Sequence, residues 1–365
     1  MRRLIFTEVI SSVGFVTLGF LSLFFFFDFV EEVQSVSRHA ATGYRLVHAI
    51  AYVALMIPSH LYELIPIAVL IGTIFVMSRM AQSSEYTILR TSGLDPWRAL
   101  KTLLILGSGF VVFTFAVGDY VSPIADRTAQ MLKARYTGRL TIGHTGAWLK
   151  EKQLYSQFAV NVGELTADGS LRGIRIFEFD NRGLLISMTQ ADTATLDEGD
   201  AWQFQQVHRT DFPLQGASRL QIERAQLHSL RWPNRISAEM VSAALLKPER
   251  MSTLDLFEYI QHLQNNAQTA QRYEIEFWKK VFYPISCLVM VVLALPFAYL
   301  HFRSGSIASY VFGGVMAGIS FFLLNNVFGY IGNLQNWLPW FTAALPGLIY
   351  SIISLTAFGW LVLRR

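Results

Sequence analysis

Charge is what this 365-residue sequence has least of: only 15% of it is Asp, Glu, Lys or Arg, against about 25% in a soluble domain. The shortfall sits in long uncharged runs, the pattern that a bilayer requires. The net charge of +4 is small and spread out, so the sequence shows no nucleic-acid footprint. Cysteine is almost missing. The single thiol, Cys287, lies inside an apolar run, which excludes a disulfide framework within one chain.

Catalytic signatures are missing too. Without a G-x-x-x-x-G-K-[ST] the chain has no P-loop for ATP hydrolysis, and neither H-E-x-x-H nor G-x-S-x-G occurs. The eight histidines do not cluster at metal-ligand spacing. Intramembrane charge is nearly absent, which argues against a proton relay; Glu63, the one candidate, reads as lying near the outer interface. A chain that is not an enzyme is the expectation; its leading form, a transport subunit, is what a family resemblance implies. A lipid-modifying membrane enzyme and a non-transporting envelope scaffold remain as alternatives. The enzyme would need a convergent nucleophile and base, and none is found.

What the sequence does have is six apolar stretches. Val9 to Phe27 carries no charge; at about 1.5 Å per residue it covers roughly 28 Å, close to the hydrocarbon thickness. It follows Met1-Arg2-Arg3 with no small-residue cleavage site, and is expected to be a retained span. Ala49 to Ser78 holds Pro58, His60, Glu63 and Pro66 and reads as a long, kinked helix, with roughly Leu64 to Ser78 in the hydrocarbon. Thr102 to Gly118 is the third span and 281–299 the fourth. From Ser304 to Leu363 there is no Asp, Glu, Lys or Arg in 60 residues. The turn-former cluster from Gly332 to Pro339 splits that run into spans five and six, with Trp337 and Trp340 as interfacial anchors.

Lys and Arg in the short loops set the orientation. With the N-terminus inside, the cytoplasmic segments hold Arg2, Arg3, Arg79, Arg90, Arg98, Lys101, Arg303, Arg364 and Arg365, and the short outer loops only Arg38 and Arg45. Both termini are therefore expected in the cytoplasm, and the large insert on the far side, the periplasm if the host is Gram-negative. The insert reads as strands at Leu154–Val162, Gly173–Phe179, Leu184–Thr189, Trp202–His208 and Arg219–Ser229, punctuated by Asp168-Gly169, Asn181-Arg182-Gly183 and Glu198-Gly199-Asp200. Short strands at this spacing suggest a sandwich, jellyroll or open barrel. Ser252 then caps a helix from Thr253 to about Asn265. The expected fold is an α-helical polytopic membrane protein, three spans plus three, around an all-β domain, its jellyroll-like form being what a family resemblance implies. Its divisions are 1–122, with a short cytoplasmic helix near 83–92, then 123–268 and 269–365.

Two segments carry candidate chemistry. Ser83 to Gly93 reads as a short helix with Ser83 or Ser84 as its cap, Glu85 at its positive end and Gly93 as its stop; Asp95-Pro96 opens the next helix. Such an element between spans has the shape of an ABC-transporter coupling helix, or of a plain surface linker. Beyond span three, Arg127, Lys133, Arg135 and Arg139 form a basic stretch. It can meet anionic headgroups or a phosphorylated ligand, or simply be a solvated helix face. Gly314 and Gly318 form a G-x-x-x-G that suits either another chain's helix or one within this chain.

These residues, in this order, resemble the LptF/LptG family of lipopolysaccharide-export permeases, over essentially the whole chain and on its LptG side. The resemblance rests on Pro58 and Pro66, Ala81-Gln82-Ser83-Ser84-Glu85 running to Thr91-Ser92-Gly93, and Gly118-Asp119-Tyr120-Val121-Ser122-Pro123. It continues through Gly146-Ala147-Trp148, Arg272-Tyr273, Trp278-Lys279-Lys280, Pro284, Gly318-Ile319-Ser320-Phe321 and Leu345-Pro346. It implies an inner-membrane heterodimer with an LptF-type permease, driven by an LptB-type ATPase dimer and feeding an LptC-type bridge. Lipopolysaccharide would be the cargo. No cofactor would be bound by this chain, ATP and Mg being held by the ATPase. Glu85, Tyr86, Leu89, Arg90 and Gly93 would then meet the ATPase. Lys133, with Arg127 and Arg135, would meet lipid phosphates, and Phe26, Phe321 and Phe322 the acyl chains. Two departures stand out. Gln130 occupies a position where the family has a basic residue, and the outer end of span one, Asp28 to Val33, is acidic where some relatives carry lysines.

Overall fold

The structure, a computed structural model, describes residues 2–39, 42–83, 85–91, 95–137, 147–153, 156–166, 170–197, 201–213, 222–234, 236, 241, 248–266, 268–299 and 307–360. The chain divides into two compact units. One comprises Met1–Glu31, Val53–Ala125 and Glu274–Arg365, the other Glu32–Tyr52 and Asp126–Tyr273.

The first unit is helical. Helix α1 (Arg2–Arg38) and helix α2 (Leu46–Gln82) are each 37 residues long and run well past the apolar stretches that announce them. Of the long apolar helices, α2 is the most enclosed and α1 the least, so α2 is the axis of the unit. Its residues Ile65, Leu70, Ile74 and Met77 pack with Val9 and Val13 of α1. Gly72 brings the two backbones together: a Cβ there would lie 2.8 Å from the Val13 nitrogen. A seven-residue helix, α3 (Glu85–Thr91), precedes α4 (Pro96–Ala116). Asp95 caps α4, accepting the Trp97 amide at 3.3 Å, with Pro96 at the first helical position, as its sequence demands.

Span three does not stop at Gly118. A π-helical turn, Val117–Val121, passes the chain into α5 (Ser122–Thr137). Pro123 directly follows that turn inside the continuous helix and contributes no backbone N–H to its ladder. The apolar stretch expected to be the fourth span is bent. Helix α7 (Gln271–Phe282) meets α8 (Ser286–Ala294) and a 3₁₀ turn, Leu295–Tyr299, at 47°. Pro284, unable to donate a backbone hydrogen bond, lies in the break. Helices α9 (Ile307–Leu334) and α10 (Pro339–Phe358) part at the expected cluster. Among the described residues five helices are long and apolar enough to cross a membrane, and the bent pair is a sixth candidate. Gly314 and Gly318 of α9 face α2 of the same chain, each with room for a hydrogen only, beside Ile74 and Ile67.

The second unit holds a six-stranded antiparallel sheet in the order β1 to β6. Its strands are β1 (Ala147–Lys152), β2 (Gln157–Leu165), β3 (Leu171–Phe179), β4 (Leu185–Asp197), β5 (Ala201–Asp211) and β6 (Glu223–Pro233). Every described strand pairs with its sequence neighbour, a meander with no crossover among the described strands. Val160, Val162, Ile174, Ile176, Trp202, Phe204 and Val207 are buried, and Trp202 donates its indole N–H to the Ile236 carbonyl at 2.9 Å. The Asn181-Arg182-Gly183 turn forms as expected: Asp180 Oδ1 accepts from the Arg182 and Leu184 amides, both at 2.8 Å, and Gly183 takes φ +82°. The Asp168-Gly169 and Glu198-Gly199-Asp200 turns lie outside the described residues. Two differences from the sequence reading are clear. β1 is an additional strand, ahead of the first strand expected from Leu154, and β4 extends to Asp197 rather than ending at Thr189. Helix α6 (Thr253–Asn265) is capped by Ser252 as expected, and Asp255 completes a capping box that the sequence reading did not name.

Candidate functional site

The basic residues of α5 belong to the second unit, and two of them are already engaged. Lys133 Nζ donates to Glu32 Oε2 at 2.7 Å and stands 4.6 Å above the Tyr52 ring centroid. Tyr44 donates its hydroxyl to the other Glu32 oxygen at 2.9 Å, so both oxygens of a nearly buried carboxylate are taken. Burial, and then the hydrogen bond to Glu32, raise the Tyr44 phenol pKa well above its usual value, which keeps it a donor. Around this pair Tyr44, His48 and Tyr136 stack, with the Tyr136 hydroxyl and His48 Nε2 3.0 Å apart.

Arg127 has another task. Its Nη2 donates to Asp255 Oδ2 at 2.6 Å, and the same oxygen accepts the Ser252 amide of the capping box at 3.1 Å. The guanidinium thus ties α5 to the start of α6. Arg135 is exposed. The three cations do not form one stripe: successive positions advance by about 100°, which turns Lys133 to a different face from Arg127. Arg139 lies outside the described residues. Sequence reasoning missed Glu32 and Tyr44. The one available signal was spacing, since Asp28 and Glu32 stand one turn apart on α1. Both acids are taken up internally, Asp28 by His60 Nε2 at 2.6 Å within the first unit. Asp28 and Glu32 at the end of the first helix are thus both held by hydrogen bonds within the chain.

The first unit holds the remaining candidates. In α3, Glu85 and Ile88 are exposed, while Tyr86 is buried, its ring edge-on to Tyr299 at 5.1 Å. Tyr86 therefore anchors the helix and Glu85 is presented. The carboxylate also suits the positive end of the helix. Ser83 does not cap α3: its hydroxyl turns back to the Met80 carbonyl at 3.4 Å. Ser84, Gly93 and the side chains of Leu89 and Arg90 lie outside the described residues. Phe26 is 58% exposed and Phe322 36%, but Phe321 is only 2% exposed. Phe321 packs edge-on to Tyr350 and stacks on Tyr283, so of the three phenylalanines it is core and the other two are surface. The Gly118-Asp119 motif also finds a structural use. Lys280 Nζ donates to the Gly118 carbonyl at 2.9 Å inside the π-helical turn, and a Cβ on Gly118 would meet the Tyr62 ring at 2.3 Å. Among the described residues no group of three or more His, Cys, Asp or Glu could hold a metal ion.

Long apolar helices in one unit and an open sheet in the other, which hydrocarbon would not tolerate, define a multi-pass membrane protein with a large inserted β domain. The chain belongs to the lipopolysaccharide export system permease LptF/LptG family, whose sequence model matches residues 3–363. It is 27% identical over 339 residues to the lipopolysaccharide export system permease protein LptG of Escherichia coli strain K12, covering 92% of this chain and 91% of that protein. It is 25% identical over 368 residues to the protein of the same name in Haemophilus influenzae, covering 100% and 98%.

Proposed function

We infer that this chain is one permease subunit of an ATP-driven exporter that lifts lipopolysaccharide out of a Gram-negative inner membrane and hands it to a periplasmic bridge. An LptF-type permease would complete the pathway, an LptB-type ATPase dimer would bind ATP and Mg, and an LptC-type protein would receive the lipid. The observation that carries the reading is α3. It is a short helix between two long apolar ones, anchored by buried Tyr86 and presenting Glu85 and Ile88, in a chain of a permease family. In this reading both termini are cytoplasmic, all six apolar elements span the bilayer, and the meander sheet belongs to a periplasmic jellyroll-like domain.

Phosphates of the cargo are assigned to Lys133, with exposed Arg135 beside it in sequence. Arg127 is assigned the support of α6 rather than first contact. Phe26 and Phe322 are the acyl-chain surfaces. A phosphate reaching Lys133 has to displace Glu32, so the acidic end of span one sets a threshold for cargo rather than repelling it outright. The test is Glu85→Ala in the purified complex. Loss of one charge-assisted contact of about 1.5–3 kcal/mol weakens ATPase association roughly ten- to a hundredfold, with ATP-dependent lipid release falling alongside. An intact complex with undiminished release would remove the coupling role from α3.

A further inference from the structure

A crevice of about 410 Å³ opens between α1, α2 and α9, closed on the α9 side by Val311. Its lining changes character along its length. On α1 it passes from Glu8 through Ser11 to Phe15, and on antiparallel α2 from Arg79 through Phe75 to Ile71. The two helices run in opposite directions, yet both go from charge to hydrocarbon in the same sense. The crevice is therefore polar at the end where α1 begins and apolar roughly 10 Å deeper, by the helix rise. That is the polarity profile of one phospholipid, headgroup outward and acyl chain inward.

The rim narrows the choice of headgroup. Arg79 Nη2 donates to Glu8 Oε2 at 2.6 Å, yet the two side chains remain 43% and 40% exposed. Each keeps hydrogen-bonding capacity for a ligand, and the pair presents both signs side by side. A purely anionic headgroup gains from Arg79 but is repelled by Glu8. A zwitterion whose phosphate and ammonium are joined by two carbons meets both. A primary ammonium can donate to the Glu8 carboxylate and a quaternary one cannot.

We propose that this crevice is a phospholipid site selective for a zwitterionic headgroup with a primary ammonium, that of phosphatidylethanolamine. Its phosphate lies on Arg79, its ammonium on Glu8, and an acyl chain runs along Phe15, Phe75 and Ile71. The site stands independently of the cargo and ATPase assignments above. The test uses the full chain, purified with its co-purifying subunits and exchanged into nanodiscs of equimolar phosphatidylethanolamine, phosphatidylcholine and phosphatidylglycerol with matched chains. Lipid retained after mild detergent extraction is counted by mass spectrometry. Phosphatidylethanolamine is expected to exceed each of the others roughly tenfold. Glu8→Gln should bring it down to the phosphatidylcholine level, and Arg79→Gln should abolish retention. Ser11→Phe, which narrows the crevice with both charged side chains retained, should lower retention of all three lipids at unchanged helicity, and it decides the matter if the Arg79 variant does not fold. Equal retention of the three lipids, a preference for phosphatidylglycerol, retained lipopolysaccharide in their place, or a Glu8→Gln protein that still selects phosphatidylethanolamine would each overturn the proposal.

Discussion

Glu32 is more deeply buried than the lysine it holds, 5% exposed at the side chain against 30% for Lys133, and this asymmetry orders two substitutions. Lys133→Met leaves a nearly buried carboxyl group to which, among the described residues, only Tyr44 donates, and is expected to cost about 2–3 kcal/mol. Glu32→Gln keeps an acceptor for Tyr44 and leaves a lysine that can turn to water, so about 1 kcal/mol is expected. Thermal denaturation of the two purified full-length variants checks the order; equal losses, or the reverse, would mean that the pair is not a buried-carboxylate lock. At this scale the sequence was only half readable. A lysine beyond span three is visible as a cation, but its counter-ion lies 101 residues away, and nothing in the local pattern joins them. Arg127 and Asp255 repeat the lesson across 128 residues.

Between elements, the packing of α2 depends on residues that have no side chain, and the cost of adding one depends on what stands opposite. At Gly72 a methyl group would meet the backbone of Val13, its nitrogen at 2.8 Å and Cα at 2.9 Å. Backbone cannot yield, so α1 itself must move. At Gly318 the nearest atom is Ile67 Cγ2 at 2.7 Å, which a rotamer change can relieve. Gly19 faces nothing within 4 Å. Overpacking typically costs about 1–3 kcal/mol, so Gly72→Ala is expected at or above the upper end and Gly318→Ala near the lower. Gly19→Ala should be neutral or stabilising by up to about 1 kcal/mol, because alanine favours helix. Melting temperatures of the three variants test the ranking, and a Gly72→Ala protein as stable as Gly19→Ala would refute the close approach of α1 and α2. The G-x-x-x-G of α9 was legible as a close contact but not in its partner, because spacing says that a helix can approach, not which one. Strand β1 was missed because Lys150, Glu151 and Lys152 mask an alternation that becomes evident only when Ala147 and Leu149 are seen buried.

For the molecule as a whole, the apolar runs were the most legible feature, since the bilayer imposes length and composition directly on sequence. What they could not reveal is the assignment of Glu32–Tyr52, the end of α1 and the start of α2, to the same unit as the sheet. That grouping comes from tertiary contacts made by Glu32, Tyr44 and His48, residues that read in sequence only as a loop and helix ends. Orientation is the remaining consequence of the charge pattern, and the near-absence of cysteine makes it testable. Cys287 is fully buried, so the unaltered chain should react little with a membrane-impermeant maleimide. Glu85 on α3 and Arg182 in the β3–β4 turn are both exposed, and each can carry a single introduced cysteine. If lysine and arginine set the topology, Arg182→Cys is labelled in cells whose outer membrane alone has been permeabilised. Glu85→Cys is then labelled only after the inner membrane is opened. Labelling of Glu85→Cys alone before the inner membrane is breached would reverse the orientation, and labelling of both positions would put α3 and the sheet on the same side. Either result would also leave α3 on the wrong side of the membrane to meet a cytoplasmic ATPase.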